Sequence, residues 1–126
     1  MAIKRIKKIK NACAPVALCH ASGRDEDTVM RVCISAGFSK KEGMADEEWQ
    51  QAADDLGIVM RAVPLIPQRL QKFIRRYKEG LFLVYTHDHL FCVDGGIIYD
   101  PREKLRGKWP GLGRIVKGAW RVEPKI

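Results

Sequence analysis

Apolar side chains recur at helical spacing through much of the chain and form short unbroken runs in its second half. The helical spacing and the glycines that interrupt it predict four helices, over residues 11–21, 25–36, 46–56 and 68–78. Runs rich in β-branched and other apolar residues predict strands over 58–63, 81–86, 90–93 and 97–99, with a last hairpin of 114–117 and 119–122 over Gly118. Most of the helices precede most of the strands, which indicates an α+β fold in which N-terminal helices pack on a C-terminal antiparallel sheet.

Length and composition predict a single domain over residues 1–126, with residues 1–10 as a basic N-terminal arm. No apolar run approaches the roughly 18 residues of a membrane span, and the charged N-terminus lacks the apolar core of a signal peptide. We therefore expect a cytoplasmic protein without a membrane segment. The four cysteines form no CxxC pair, so we expect free thiols and not disulfides.

The formal net charge of +8 is unevenly spread. Residues 1–10 contribute +5 and residues 101–126 contribute +6, whereas residues 11–100 sum to −3. Two basic ends favour an anionic partner, such as nucleic acid, cell wall or an acidic protein. The alternative interpretation is a solvated basic surface that keeps the protein soluble.

A hairpin signal brings two polar residues into register. Asp94-Gly95 separates two apolar runs, which is typical of a two-residue β-turn. If these two residues form the turn, Val93 lies opposite Gly96 and His89 lies opposite Asp100. Side chains in such a pair share one face, with β-carbons about 5 Å apart. An aspartate there would hold one imidazole nitrogen and leave the other to act as a base.

Cys13 precedes a short apolar helix, where free N–H groups and the helix dipole favour a thiolate. Its own N–H is also a candidate donor to an oxyanion. Cysteine is often simply buried, and we interpret the remaining three in that way. Cys19 and Cys33 lie within predicted helices, and Cys92 is predicted on the strand face opposite to His89.

Three segments resemble papain-like cysteine peptidases, and most closely the small bacterial or phage-encoded enzymes of the bacteriocin-processing type. The segment Asn11-Ala-Cys13-Ala-Pro15 resembles their nucleophile helix. The segment from Gly80 to Pro101, with its His89 strand and Asp100, resembles their histidine strand and the aspartate that follows. Between them, Gly43 to Ile58 resembles their Gly-x-x-x-helix-Leu-Gly-Ile segment. The resemblance covers residues 9–101.

This resemblance implies a papain-like fold and a Cys13–His89–Asp100 triad that hydrolyses peptide, isopeptide or side-chain amide bonds through an acyl-enzyme. The small size is similar to that of bacterial cell-wall peptidases, so cell-wall peptides are candidate substrates. No cofactor or metal is implied. Papain-like enzymes place an oxyanion-donating Gln about six residues before the cysteine, but position 7 here is Lys. Asn11 is the candidate substitute, beside the N–H of Cys13.

Two alternatives remain open at the level of the sequence. The first is metal binding, since His87, His89, Cys19 and His20 are of types that bind zinc. Their spacing does not reproduce that of a structural zinc site. The other alternative is a binding module for nucleic acid or protein on an inactive papain-like scaffold. It is based on two tryptophans, Trp109 and Trp120, that lie among basic residues. The indole rings would stack on bases, unless they pack into the core instead. Those basic residues are Lys104, Arg106, Lys108, Arg114 and Lys117.

Overall fold

The computed structural model describes residues 12–64, 68–87, 89–99 and 114–123. Within them the helices are α1 (Cys13–Ser22), α2 (Glu26–Ala36), α3 (Asp46–Asp55) and α4 (Leu70–Arg76). The strands are β1 (Met60–Ala62), β2 (Gln68–Arg69), β3 (Leu81–Thr86), β4 (His89–Asp94), β5 (Ile97–Tyr99), β6 (Ile115–Val116) and β7 (Gly118–Val122). The predicted α+β class is confirmed.

Five of the strands form one antiparallel sheet in the order β1-β7-β3-β4-β5, and β2 pairs separately with β6. β3 lies at the centre, paired with β4 from Leu81↔Asp94 to Thr86↔His89. On its other side β3 pairs with β7, which brings the C-terminal strand into the middle of the sheet. His89 and Thr86 therefore lie opposite each other at one end of the two central strands.

Alternate residues of the central strands bury opposite faces of the sheet, as a period of two requires. On one face, Leu83 and Leu90 pack with α1, α2 and α3 in a core that includes Trp49. On the other face, Phe82 and Phe91 pack with α4. Because both faces of the sheet are covered, the sequences of β3 and β4 are almost continuous apolar runs.

The predicted hairpin over Gly118 is wrong. Val116 pairs with Gln68 in the small sheet, whereas Gly118 already pairs with Tyr85 in the large one. The chain thus passes from one sheet to the other within two residues, and two short strands adjacent in sequence need not pair with each other. The predicted helix 68–78 is also shorter, since its first two residues form β2.

The link between α2 and α3 depends on a close approach that only glycine permits. Gly37 ends α2 at φ 122°, and the Glu48 side chain lies where a β-carbon at position 37 would be. The same carboxylate accepts a 2.7 Å hydrogen bond from the Ala45 N–H at the start of α3. Between them, Ser39 and Gly43 exchange backbone hydrogen bonds of 3.1 and 2.7 Å. These contacts fix the loop before α3.

Among the described residues, no helix has the length and apolarity to cross a bilayer.

Candidate active site

Cys13 is the first residue of α1, two residues later than the predicted start of that helix. Ala12 occupies the N-cap position and provides no side-chain acceptor, so the N–H groups of the first turn have no side-chain cap. Pro15 fits here because the first turn does not use its missing N–H. The thiol is half-buried, whereas the helix from Ala14 to Cys19 is buried. An anion at Cys13 is favoured by this helix end.

α1 lies along β4, and this packing brings His89 to Cys13. At the middle of the helix, the Cys92 thiol donates a 3.1 Å hydrogen bond to the Ala17 carbonyl. At its first residue, the Cys13 sulfur is hydrogen-bonded to the His89 ring and to the backbone N–H of Leu90. The structure thus places the predicted nucleophile and the predicted base next to each other in the lining of one cleft.

The net effect on Cys13 is a pKa below the ordinary thiol value of 9.0. Burial alone raises the pKa, because it disfavours the thiolate. The hydrogen bond from His89, the N–H of Leu90 and the charge on the His89 ring together outweigh that effect. The N–H of Ala14 adds a smaller contribution in the same direction. The surroundings of Cys13 therefore favour a thiolate.

The other three cysteines have the opposite character. Burial raises the pKa of Cys19 to about 11 and that of Cys33 to about 12, and it raises the pKa of Cys92 still further. All three are at most 1% exposed. All four cysteines are free thiols, as predicted. Cys13 alone combines partial exposure with a lowered pKa, so the interpretation of the others as packing residues fits their surroundings.

Cys13 and His89 open onto one cleft of about 440 Å³. Its opposite wall comes from the loop before α3 and the start of that helix, with Glu42 and Asp46 on an exposed rim. Trp49 is buried and holds the Asp46 carboxylate through a 3.3 Å hydrogen bond from its indole N–H. The remaining lining residues are Ala14, Gly43, Met44, Ala45, Tyr85 and Leu90. A peptide segment could enter this space beside the thiol.

The third predicted member, Asp100, lies outside the described residues, as does the candidate oxyanion donor Asn11. The register on which we based the Asp100 pairing is wrong. Val93 lies opposite Ile98, not Gly96. The turn is Gly95-Gly96, with φ values of 59° and 82°. Two consecutive positive φ values define the favoured two-residue hairpin turn, which two glycines adopt without strain and which moves Asp94 into the strand.

Opposite His89, the structure shows a residue that the sequence analysis did not single out. Thr86 is fully buried, and its hydroxyl has no hydrogen-bond partner within the part of the chain that the structure describes. The His89 ring also lies 5.5 Å from the ring of Phe91, its neighbour on the same strand face. The pattern of apolar residues around position 86 carries no signal for a buried hydroxyl, because threonine is also a common strand residue.

A histidine–aspartate contact lies at the far end of α1. His20 Nε2 is 3.5 Å from Asp94 Oδ2, and the His20 ring stacks on Tyr99 at 4.1 Å between centroids. His20 is thus directed away from Cys13, as its predicted position two turns along the helix implies. We missed this contact because the assumed register placed Asp94 in the turn.

Metal ligation finds no support among the described residues, which contain no group of three or more candidate ligands. Trp120 packs edge-on against Trp49 at 4.9 Å between ring centroids, in the core on the α1 side of the sheet. The packing interpretation of Trp120 is therefore confirmed, whereas Trp109 lies outside the described residues. Comparisons with protein-family models, with curated proteins and with solved structures give no match.

Proposed function

We propose that this protein is a cysteine hydrolase of papain-like architecture that cleaves amide bonds in peptides, isopeptides or cell-wall peptides. One observation carries the proposal: in a cleft large enough for a peptide segment, Cys13 has a lowered pKa and is hydrogen-bonded to His89. Thiol nucleophiles need such activation, because the thiolate is the reactive form. A nucleophile at the start of a helix packed along an antiparallel sheet also supports the papain-like comparison.

The chemistry would proceed in two balanced steps. The Cys13 thiolate attacks the substrate carbonyl, and the His89 imidazolium gives its proton to the leaving amine as the C–N bond breaks. Water then attacks the thioester and His89 accepts its proton, the C–S bond breaks to release the carboxylic acid, and Cys13 is left as the thiolate beside the His89 imidazolium, as at the start. The N–H of Cys13 in the uncapped first turn is the oxyanion donor in this proposal, with Asn11 as a second candidate. Asp100 is the residue proposed to orient His89.

The same proposal includes a reducing compartment such as the cytoplasm. Its support is that all four cysteines are unpaired and that the reaction requires a free thiol. The substrate is a peptide or a related amide, and no cofactor takes part in these steps.

The test is site-specific alkylation followed by a hydrolysis assay. At pH 6.5 we expect iodoacetamide to modify Cys13 at least tenfold faster than Cys19, Cys33 or Cys92, as measured by peptide mapping. His89→Ala should abolish this preference, whereas the matched control His87→Ala should keep it. A library of peptide amides should then be cleaved by the wild type and not by Cys13→Ala. Asp100→Asn should slow cleavage while Cys13 is still labelled.

Slow and equal labelling of all four cysteines in the wild type would refute the proposal. In that case the alternative of a binding module on an inactive papain-like scaffold would be favoured. Circular dichroism of each variant would establish that a lost signal does not reflect unfolding.

A further inference from the structure

The two sides of the sheet carry opposite net charge. The sum of −3 over residues 11–100 does not show this difference. Residues 12–64, which form α1 to α3 and β1, carry five basic and nine acidic side chains, a net −4. Residues 68–87, which form β2, α4 and β3, carry five basic and one acidic, a net +4. Because α1 to α3 pack on one face of the sheet and α4 on the other, the two sides of the described part of the molecule carry opposite net charge.

The positive side is built around α4. Leu70 and Phe73 are fully buried under the helix. Lys72, Arg75 and Arg76 are exposed on its outer side, at the i, i+3 and i+4 spacing that brings helical side chains together. We define the cationic face as these three residues and three further exposed cations: Lys78 after the helix, Lys117 between β6 and β7, and Arg121 on β7.

Part of this face forms an open cleft of about 510 Å³. Arg75, Arg76, Lys78 and Arg121 line it together with Tyr77 and a single acidic residue, Glu79. The Arg121 guanidinium lies 4.6 Å from the centroid of the Phe82 ring, and that of Arg76 lies 5.7 Å from the centroid of Tyr77. Aromatic rings thus hold two of the guanidinium groups at the surface.

None of the six cations forms an ion pair with a carboxylate of the described residues, in contrast to Arg61, which lies 3.3 Å from Glu123. Like charges at helical spacing destabilise a helix slightly. A polyanion would relieve this repulsion. Guanidinium groups are also suited to phosphate, because their planar N–H donors match two phosphate oxygens at once.

We propose that the cationic face binds the phosphodiester backbone of a nucleic acid without sequence specificity, at a site separate from the Cys13 cleft. A nucleic acid fits better than a membrane surface. A helix that lies on a membrane must present apolar residues to the lipid, whereas Leu70 and Phe73 of α4 are fully buried and Ile74 packs partly buried against the same core. Sequence readout is not expected, since Phe82 is fully buried and the half-buried Tyr77 ring packs against Phe73 and Phe82, so neither ring offers an open stacking surface.

The experiment uses the full chain and a fluorescent 20-base-pair DNA duplex, with anisotropy measured between 50 and 200 mM salt. About four phosphate contacts would weaken binding about a hundredfold over that range. Arg75→Gln/Arg76→Gln should reduce the slope of log affinity against log salt by about two. The matched control, Lys40→Gln/Lys41→Gln, removes the same charge from the loop before α3, on the other side of the sheet, and should leave the slope unchanged.

Three results would overturn the proposal. One is the absence of binding at 50 mM salt, and another is stronger binding to vesicles of anionic lipid than to DNA. The third is an unchanged slope in Arg75→Gln/Arg76→Gln, which would place the contact on the basic ends of the chain. Cys13 alkylation serves as a separate readout, since it should be the same in both double variants, so this proposal and the hydrolase proposal can fail independently.

Discussion

The Cys92 thiol donates a 3.1 Å hydrogen bond to the carbonyl of Ala17, and this contact joins the middle of α1 to the middle of β4. Because both elements are regular, fixing them at this point also fixes how Cys13 lies relative to His89 at their ends. A buried thiol that takes no part in the proposed chemistry thus contributes to the geometry of the site.

Cys92→Leu is therefore expected to damage both stability and the site. The side chain is fully buried, so the larger leucine overpacks the core at a cost of about 1–3 kcal/mol and separates α1 from β4. We expect Cys13 alkylation at pH 6.5 to slow severalfold, measured below the thermal transition. Cys33→Leu is the matched control, because it overpacks an equally buried site on α2 and should reduce stability alone. Equal alkylation rates in the two variants would show that the contact does not position Cys13.

The thiols also predict how stability responds to alkali. Cys33 and Cys19 have folded pKa values raised by burial, to about 12 and about 11, above the ordinary 9.0. Each therefore stabilises the fold fully below pH 9, and this contribution is lost as pH rises through the folded pKa. The contribution of Cys13 to stability depends on pH in the opposite direction, because its folded pKa is lowered. That contribution is complete above pH 9 and is lost as pH falls through the folded pKa.

Because Cys19, Cys33 and Cys92 have raised pKa values, the free energy of unfolding should fall above pH 9. Each raised thiol contributes up to about 1.4 kcal/mol per pH unit. Urea titrations under reducing conditions between pH 8 and 10.5 measure the slope. Cys33→Ala should show a shallower decline than the wild type above pH 9, whereas Cys13→Ala should show the same decline, because the contribution of Cys13 is already complete there. An identical slope in all three proteins would contradict these pKa directions.

The unpartnered hydroxyl of Thr86 predicts a stabilising substitution. Burying a hydroxyl without a partner costs about 1–3 kcal/mol, and valine has nearly the same shape. We expect Thr86→Val to raise the free energy of unfolding by about 1 kcal/mol. The control is Thr28→Val, because the Thr28 hydroxyl donates a 2.7 Å hydrogen bond to Asp25 at the start of α2, and its loss should destabilise. Destabilisation by Thr86→Val would show that the hydroxyl has a partner in solution.

The fold class could be predicted because its signals are local, whereas the pairing of Cys13 with His89 was expected only from the resemblance to papain-like peptidases. A thiol before an apolar helix and a histidine before an apolar run each place a side chain at the end of an element. The strand register could not be predicted, because Asp94-Gly95 and Gly95-Gly96 are both good turns, and the choice between them depends on pairing with β3. The small sheet of β2 and β6 was missed because each strand has only two residues.

The rim of the Cys13 cleft predicts a preference among substrates. Glu42 and Asp46 are exposed carboxylates on the wall opposite the thiol, so a cationic side chain near the scissile bond should be favoured. We expect a peptide amide with lysine at that position to have a kcat/KM severalfold higher than the same peptide with glutamate. Added salt should reduce this difference, because the carboxylates are solvent-exposed. Glu42→Gln should reduce it as well, while the hydrolysis of an uncharged peptide stays the same. Asp54→Gln, which removes an equal charge from the far end of α3, is the control. If both variants alter the preference equally, the overall charge of the protein, and not the rim of the cleft, sets it.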